Sequence, residues 1–135
     1  YEVLLASAHR TPAAVREFVS TAEERGISAF VVGAGMAAHL PGVVASYTTL
    51  PVIGVPLESG SLQGMDALLA IVQMPSGIPV ATVAINGAKN GALLAVQIGA
   101  ASDAALAKKY KAYRENMANE VMEKNQKLQE TIKSL

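Results

Sequence analysis

Between positions 26 and 57 the chain carries no Asp, Glu, Lys or Arg, yet Gly33, Gly35, Pro41, Gly42, Pro51, Gly54 and Pro56 interrupt the stretch throughout. Few folds accommodate that combination. A membrane-spanning helix needs about 20 unbroken apolar residues, which are not available here. A half-wet sheet would alternate apolar with polar side chains along each strand. What fits is a buried parallel sheet whose covering helices pack on further protein, including other subunits. From 26 to 102 the only charged residues are Glu58, Asp66 and Lys89, so the same reading covers the middle of the chain. A soluble protein that is not a monomer is expected.

The apolar runs are short and alternate with helical periodicity. Residues 2–6 read as a strand, followed by a helix over about 12–25 with Thr11 as N-cap, Pro12 at its first position and Gly26 at its end. Val15, Phe18, Val19 and Ala22 give that helix one buried face. Residues 28–32 are a second strand ending in Gly33-Ala34-Gly35-Met36, then a helix over 37–46 that tolerates Pro41 only in its first turn or as a kink. Residues 52–55 are a third strand, broken by Pro56. A polar loop at 58–61 leads to a helix over 62–73. A turn-rich connector at 74–79 precedes a fourth strand at 80–85 and a small-residue helix at 89–100. Strand–helix alternation at this spacing predicts an α/β fold with a doubly wound parallel sheet in three α/β/α layers.

Beyond Asp103, a good N-cap, the composition changes to seven Lys/Arg and four Glu with no Gly or Pro. Leu106, Tyr110, Tyr113, Met117, Val121 and Leu128 mark a long amphipathic helix. The chain thus divides into an α/β domain at 1–102 and a C-terminal helix at 103–135 that packs on the body or on a neighbouring subunit.

Composition narrows the function. A length of 135 residues suffices for one domain core. Zero formal net charge argues against a nucleic-acid binder that relies on bulk electrostatics. With no cysteine, disulfides, iron–sulfur clusters and thiol catalysis are excluded. Two histidines and scattered carboxylates offer no metal-ligand spacing, so no metal is expected. The chain opens on Tyr1-Glu2 with no basic-then-apolar leader, and no secretory signal is expected. Nucleophile-elbow, Walker and paired-carboxylate motifs are absent.

Candidate chemistry gathers where the first strand hands over to the first helix, at Ser7-Ala8-His9-Arg10. In an open parallel sheet ligands bind at this edge, and a helix N-terminus favours anions such as phosphate. Arg supplies a forked cation, Ser a neutral donor, and His a group that exchanges protons near neutral pH. The residues alone leave open that His9 and Arg10 are ordinary loop residues. Gly33-Ala34-Gly35-Met36-Ala37-Ala38 fits a G-x-G-x-x-A dinucleotide pattern, with Glu58 some way beyond. Glu58, however, falls in the loop past Pro56, and Pro41-Gly42 disturbs the helix that should carry the pyrophosphate. A glycine loop that lets backbone N–H groups approach a small ligand fits better. His39, taken singly, reads as a structural residue at a helix start.

Several of these segments together resemble the PurE family of purine biosynthesis. They are Ser7-Ala8-His9-Arg10-Thr11-Pro12, Gly33-Ala34-Gly35, and Ala37-Ala38-His39-Leu40-Pro41-Gly42. Pro51-Val52-Ile53-Gly54-Val55-Pro56, Gly64-Met65-Asp66-Ala67-Leu68-Leu69 and Ile71-Val72-Gln73-Met74-Pro75 continue the match in the same order. It goes on through Gly77-Ile78-Pro79-Val80 and Ala88-Lys89-Asn90, and spans about residues 1–115. The 37–42 block resembles the bacterial mutase branch.

The resemblance implies a flavodoxin-like domain, a cytoplasmic homo-octamer, no cofactor and an isomerase. The reaction implied is that of a 5-(carboxyamino)imidazole ribonucleotide mutase. The substrate loses carbon dioxide to give aminoimidazole ribonucleotide and is recarboxylated on the ring carbon. On that reading His9 shuttles the proton, while Ser7, Ala8 and Arg10 hold the ribonucleotide. Gly33, Ala34, Gly35, Ala38, His39 and Leu40 form a dry pocket that retains carbon dioxide. The Met74–Pro79 connector would reach a neighbouring subunit's site. The family carries an additional βα unit with a Gly-Ser-x-Ser-Asp loop ahead of the point where this sequence opens, and no Ser-x-Ser-Asp occurs in it. Met36 stands where the family usually has glycine. Two alternatives are a PurE-like carboxylase acting on another nucleotide, such as the one in nickel-pincer cofactor synthesis, and a non-catalytic homologue that keeps the assembly surface.

Overall fold

The computed structural model describes residues 1–134. In chain order the elements are α1 (Pro12–Ser20), β1 (Phe30–Gly35), α2 (Leu40–Tyr47), β2 (Val52–Leu57), α3 (Met65–Val72), β3 (Ala81–Thr82), α4 (Ala88–Ala100) and α5 (Ala104–Lys133). Tyr1–Ala95 forms one compact unit, and a second runs from Val96 onward.

In the first unit the three strands are parallel in the order β1-β2-β3. β2 lies between two neighbours, and its first five residues are buried on both faces. Phe30, Val32 and Val52 turn to one face, where Val15 and Val19 of α1 and Val44 and Ala45 of α2 complete a core. Gly54 points the same way, toward Ile71 of α3 and Pro41 of α2. Val31, Ile53 and Val55 point to the opposite face, against Gly91 of α4. The crossovers α2 and α3 therefore share a face, as successive same-handed connections require, and α4 covers the other. This is a flavodoxin-like three-layer α/β/α arrangement. Ile53 and Ile71 are fully buried, and each such side chain contributes about 1.5–3 kcal/mol.

Several boundaries differ from the sequence reading. Residues 2–6 are not a strand. They join no ladder, and Val3 and Leu4 instead line, with Phe30 and Val32 of β1, a cavity of about 400 Å3. α1 stops at Ser20, and turns carry the chain to Gly26, whose φ is +79°. β1 starts later than expected and continues through Gly33, Ala34 and Gly35, paired with Val55, Pro56 and Leu57. The expected glycine loop is thus strand as far as Gly35. β2 likewise runs through Pro56, so Glu58 directly follows a strand end. α3 starts at Met65 instead of 62, because Gln63 (φ 51°) and Gly64 (φ 88°) hold left-handed turn conformations. β3 shrinks to two residues, pairing only with Ile53 and Gly54.

In the second unit Asp103 caps α5, its carboxylate accepting from the Leu106 N–H at 2.9 Å. No residue of α5 is buried. Tyr110 and Tyr113 stack, their ring centroids 6.4 Å apart. Among the described residues no helix is long and apolar enough to cross a membrane.

Candidate active site

A cavity of about 540 Å3 opens where the segment preceding α1 meets the C-terminal end of β1. Ser7, Ala8, His9 and Arg10 line one side of it. Gly33, Ala34 and Gly35, followed by His39 and Leu40, line the other. Ala38 alone among the expected residues is elsewhere: it is 2% exposed and packs against Ala67 and Ile71. The turn after β1 rotates its side chain into the core, with Ala38 N–H donating to the Met36 carbonyl at 2.8 Å. Met36 and Ala37 line the cavity instead. The sequence reading does not include either among the ligand contacts, although Met36, a bulky residue at a glycine position, carries a signal for it.

Local hydrogen bonds fix the Ser7–Thr11 turn. Thr11 N–H donates to the Ser7 carbonyl at 2.9 Å, and Ser7 N–H donates to Thr11 Oγ1 at 2.8 Å. The Arg10 N–H donates to Ser7 Oγ at 3.2 Å. Thr11 does occupy the N-cap position of α1 and Pro12 its first turn, but the Thr11 hydroxyl donates back to the Ser7 carbonyl and caps nothing. The first turn of α1 therefore presents N–H groups without a side-chain cap, and such groups bind anions. The Arg10 side chain is exposed beside them, with no protein partner among the described residues.

Across the cavity, His9 Nε2 and His39 Nδ1 are 2.8 Å apart, with the rings at 76° to one another. His39 is held by its backbone at the N-cap of α2. Its N–H donates to the Ala37 carbonyl and its carbonyl accepts from the Val43 N–H, at 2.8 and 2.9 Å. His39 is thus not an isolated structural histidine.

The arrangement offers an exchangeable proton, a cation and free backbone donors around one cavity. No three His, Cys, Asp or Glu side chains are grouped as metal ligands among the described residues. The dinucleotide pattern fails on geometry. Its glycines lie within a paired strand, and the Glu58 carboxylate accepts from Asn86 Nδ2 at 3.0 Å.

Comparison with known proteins agrees with the resemblance. The family model described as AIR carboxylase matches residues 1–120. The N5-carboxyaminoimidazole ribonucleotide mutase of Thermotoga maritima is 55% identical over 130 residues, 96% of this chain and 76% of that protein. The mutase of Bacillus subtilis is 55% identical over 130 residues, 95% of this chain and 80% of its own. That of Mycobacterium tuberculosis is 51% identical over 128 residues, covering 95% and 74%. The cavity lies within the residues that the family model matches, and the chain belongs to the AIR carboxylase, or PurE, family.

Proposed function

We propose that the protein acts in purine biosynthesis as an N5-carboxyaminoimidazole ribonucleotide mutase, an isomerase that moves a carboxylate from the exocyclic nitrogen to the ring carbon. The observation that carries this reading is the more than 50% identity to mutases over nearly the whole chain. The cavity chemistry supports it.

The Arg10 guanidinium and the uncapped N-terminus of α1 hold the ribonucleotide phosphate. Ser7 and Ala8 orient the nucleotide. The C–N bond to the carboxylate breaks to release carbon dioxide, and protonated His9 gives its proton to the departing nitrogen. The ring carbon then attacks the retained carbon dioxide, and neutral His9 removes the proton from that tetrahedral carbon. One near-neutral acid–base group serves both steps. Gly33, Ala34, Gly35, His39 and Leu40 enclose the carbon dioxide and bind the carboxylate, and exclusion of water keeps the intermediate from leaking. Ala38 supports this wall from the core side. No cofactor takes part.

The reading includes a cytoplasmic homo-octamer, with the α/β domain at 1–102 carrying the site. The helix at 103–135 packs on the body or on a neighbour, and the Met74–Pro79 connector reaches the neighbouring site. Turnover of N5-carboxyaminoimidazole ribonucleotide by this chain, and by the chain extended to its relatives' length, tests the activity. Formation of the carbon-carboxylated isomer in either supports it. Correct assembly with no turnover in both would favour another nucleotide substrate or a non-catalytic homologue.

A further inference from the structure

We infer that the side chain of Met36 folds over the bound nucleotide and closes the cavity on the released carbon dioxide. The inference rests on the mutase reading and deepens it, by naming the residue that keeps the intermediate in the site.

Carbon dioxide is small, uncharged and has no proton to donate, so it offers little for a charged or polar group to grip. An apolar cover that excludes water is what retains it. Recarboxylation must outrun escape. Carbon dioxide that leaves takes the carboxylate with it and strands free aminoimidazole ribonucleotide, its nitrogen already protonated. In this structure the cavity stands open, because His9, Arg10, Met36 and His39, which all line it, are exposed.

Two long apolar side chains line the cavity, those of Met36 and Leu40. Leu40 is committed elsewhere, packed against the core formed by α1, β1 and α2. Met36 is 60% exposed, so its side chain is available to move. Its backbone is not: Gly35 is paired with Leu57, and the Met36 carbonyl accepts from the Ala38 N–H at 2.8 Å. Side-chain torsions therefore carry the closure, and an unbranched thioether with three rotatable bonds adapts well to the surface it covers. Gly60 leaves one flank clear, since a Cβ there would stand 3.9 Å from Met36 Cγ. Met36 also holds a φ of 54°, a left-handed conformation that disfavours any side chain. Strained backbone of this kind is kept where function uses it, and here burial in the free protein does not offset it.

The experiment follows the carboxylate. Substrate labelled with carbon-13 at the carboxylate is turned over to low conversion in unlabelled bicarbonate, and mass spectrometry reads the label kept in the isomer. In Met36→Gly the retained label should fall about twofold or more, with free aminoimidazole ribonucleotide released in its place. Met36→Leu, apolar and of similar length, should keep the label. In protein carrying carbon-13 at its methionine methyls, aminoimidazole ribonucleotide should protect the Met36 methyl from a soluble paramagnetic agent. Equal retention in Met36→Gly and the unsubstituted protein would overturn the inference, as would equal loss in Met36→Leu or an active protein whose Met36 methyl stays unprotected. A protein that forms no isomer but still shows the protection would overturn the mutase reading and leave the closure in place. One that shows neither would overturn both.

Discussion

Asn86 and Glu58 grip each other twice. The Glu58 backbone N–H donates to Asn86 Oδ1 and Asn86 Nδ2 donates to Glu58 Oε2, both at 3.0 Å. Asn86 N–H also donates to the Pro56 carbonyl at 2.8 Å, so one residue ties the turn before α4 to the end of β2. It does so at a φ of 59°, a left-handed conformation that Asn tolerates better than most residues. Asn86→Ala removes both side-chain bonds and adds backbone strain, and should cost about 2 kcal/mol. Asn86→Gly loses the same bonds without the strain and should cost less. Urea midpoints for the two variants give that order, and equal midpoints would remove the backbone contribution.

Gly54 sits mid-strand in β2, where an added Cβ would collide with Ile71 Cγ2 and stand 2.9 Å from Val80 Cγ1. Both neighbours are β-branched, with little rotamer freedom to move aside. Gly54→Ala should destabilise the protein by about 1–3 kcal/mol, the usual cost of overfilling a packed core. Thermal denaturation checks it, and a stability equal to the unsubstituted protein would show that this side of the sheet is not tightly filled.

Local chemistry made much of the site legible, because the turn before Pro12 and the approach to Pro41 are written in nearby residues. Non-local pairing was not legible. Residues 2–6 have the apolar character of a strand but pair with none of the three strands, and a strand exists only through its partner. Conversely, Gly33 to Gly35 carry turn-forming residues yet remain strand because β2 pairs with them as far as Leu57. Ala38 was expected at the ligand and faces the core, because the turn at Met36 and Ala37 sets the phase in which α2 begins. The His9–His39 contact joins residues 30 apart in sequence, a separation that no periodicity encodes.

Removing the imidazole of His9 should separate binding from turnover. His9→Asn retains a polar side chain at an exposed position, so folding and nucleotide affinity should stay within about twofold. Turnover should fall by about 100-fold or more, the usual contribution of a positioned acid–base group. Calorimetric titration with aminoimidazole ribonucleotide alongside the mutase assay distinguishes the two effects, and normal turnover would exclude His9 as the proton carrier.

Arg10→Ala should do the opposite and mainly weaken binding. Loss of a charge-assisted contact to phosphate costs about 1.5–3 kcal/mol, or roughly 10- to 100-fold in affinity. Because Arg10 has no protein partner among the described residues, stability should be unaffected. An affinity unchanged by the substitution would place the phosphate elsewhere.

Met36 is held at a φ of 54° while its side chain is 60% exposed. A non-glycine residue in this region costs roughly 1–2 kcal/mol, and an exposed thioether recovers little of that through burial. Glycine removes the strain but adds about 0.5–1 kcal/mol of unfolded-state entropy. The difference favours Met36→Gly, which should raise stability by up to about 1 kcal/mol and widen the cavity that Met36 lines. Met36→Val, β-branched and ill suited to positive φ, should instead lower stability by more than 1 kcal/mol or so. If denaturation midpoints place Val above Gly, Met36 does not hold the left-handed conformation in solution, and the turn from β1 into α2 is shaped by other residues.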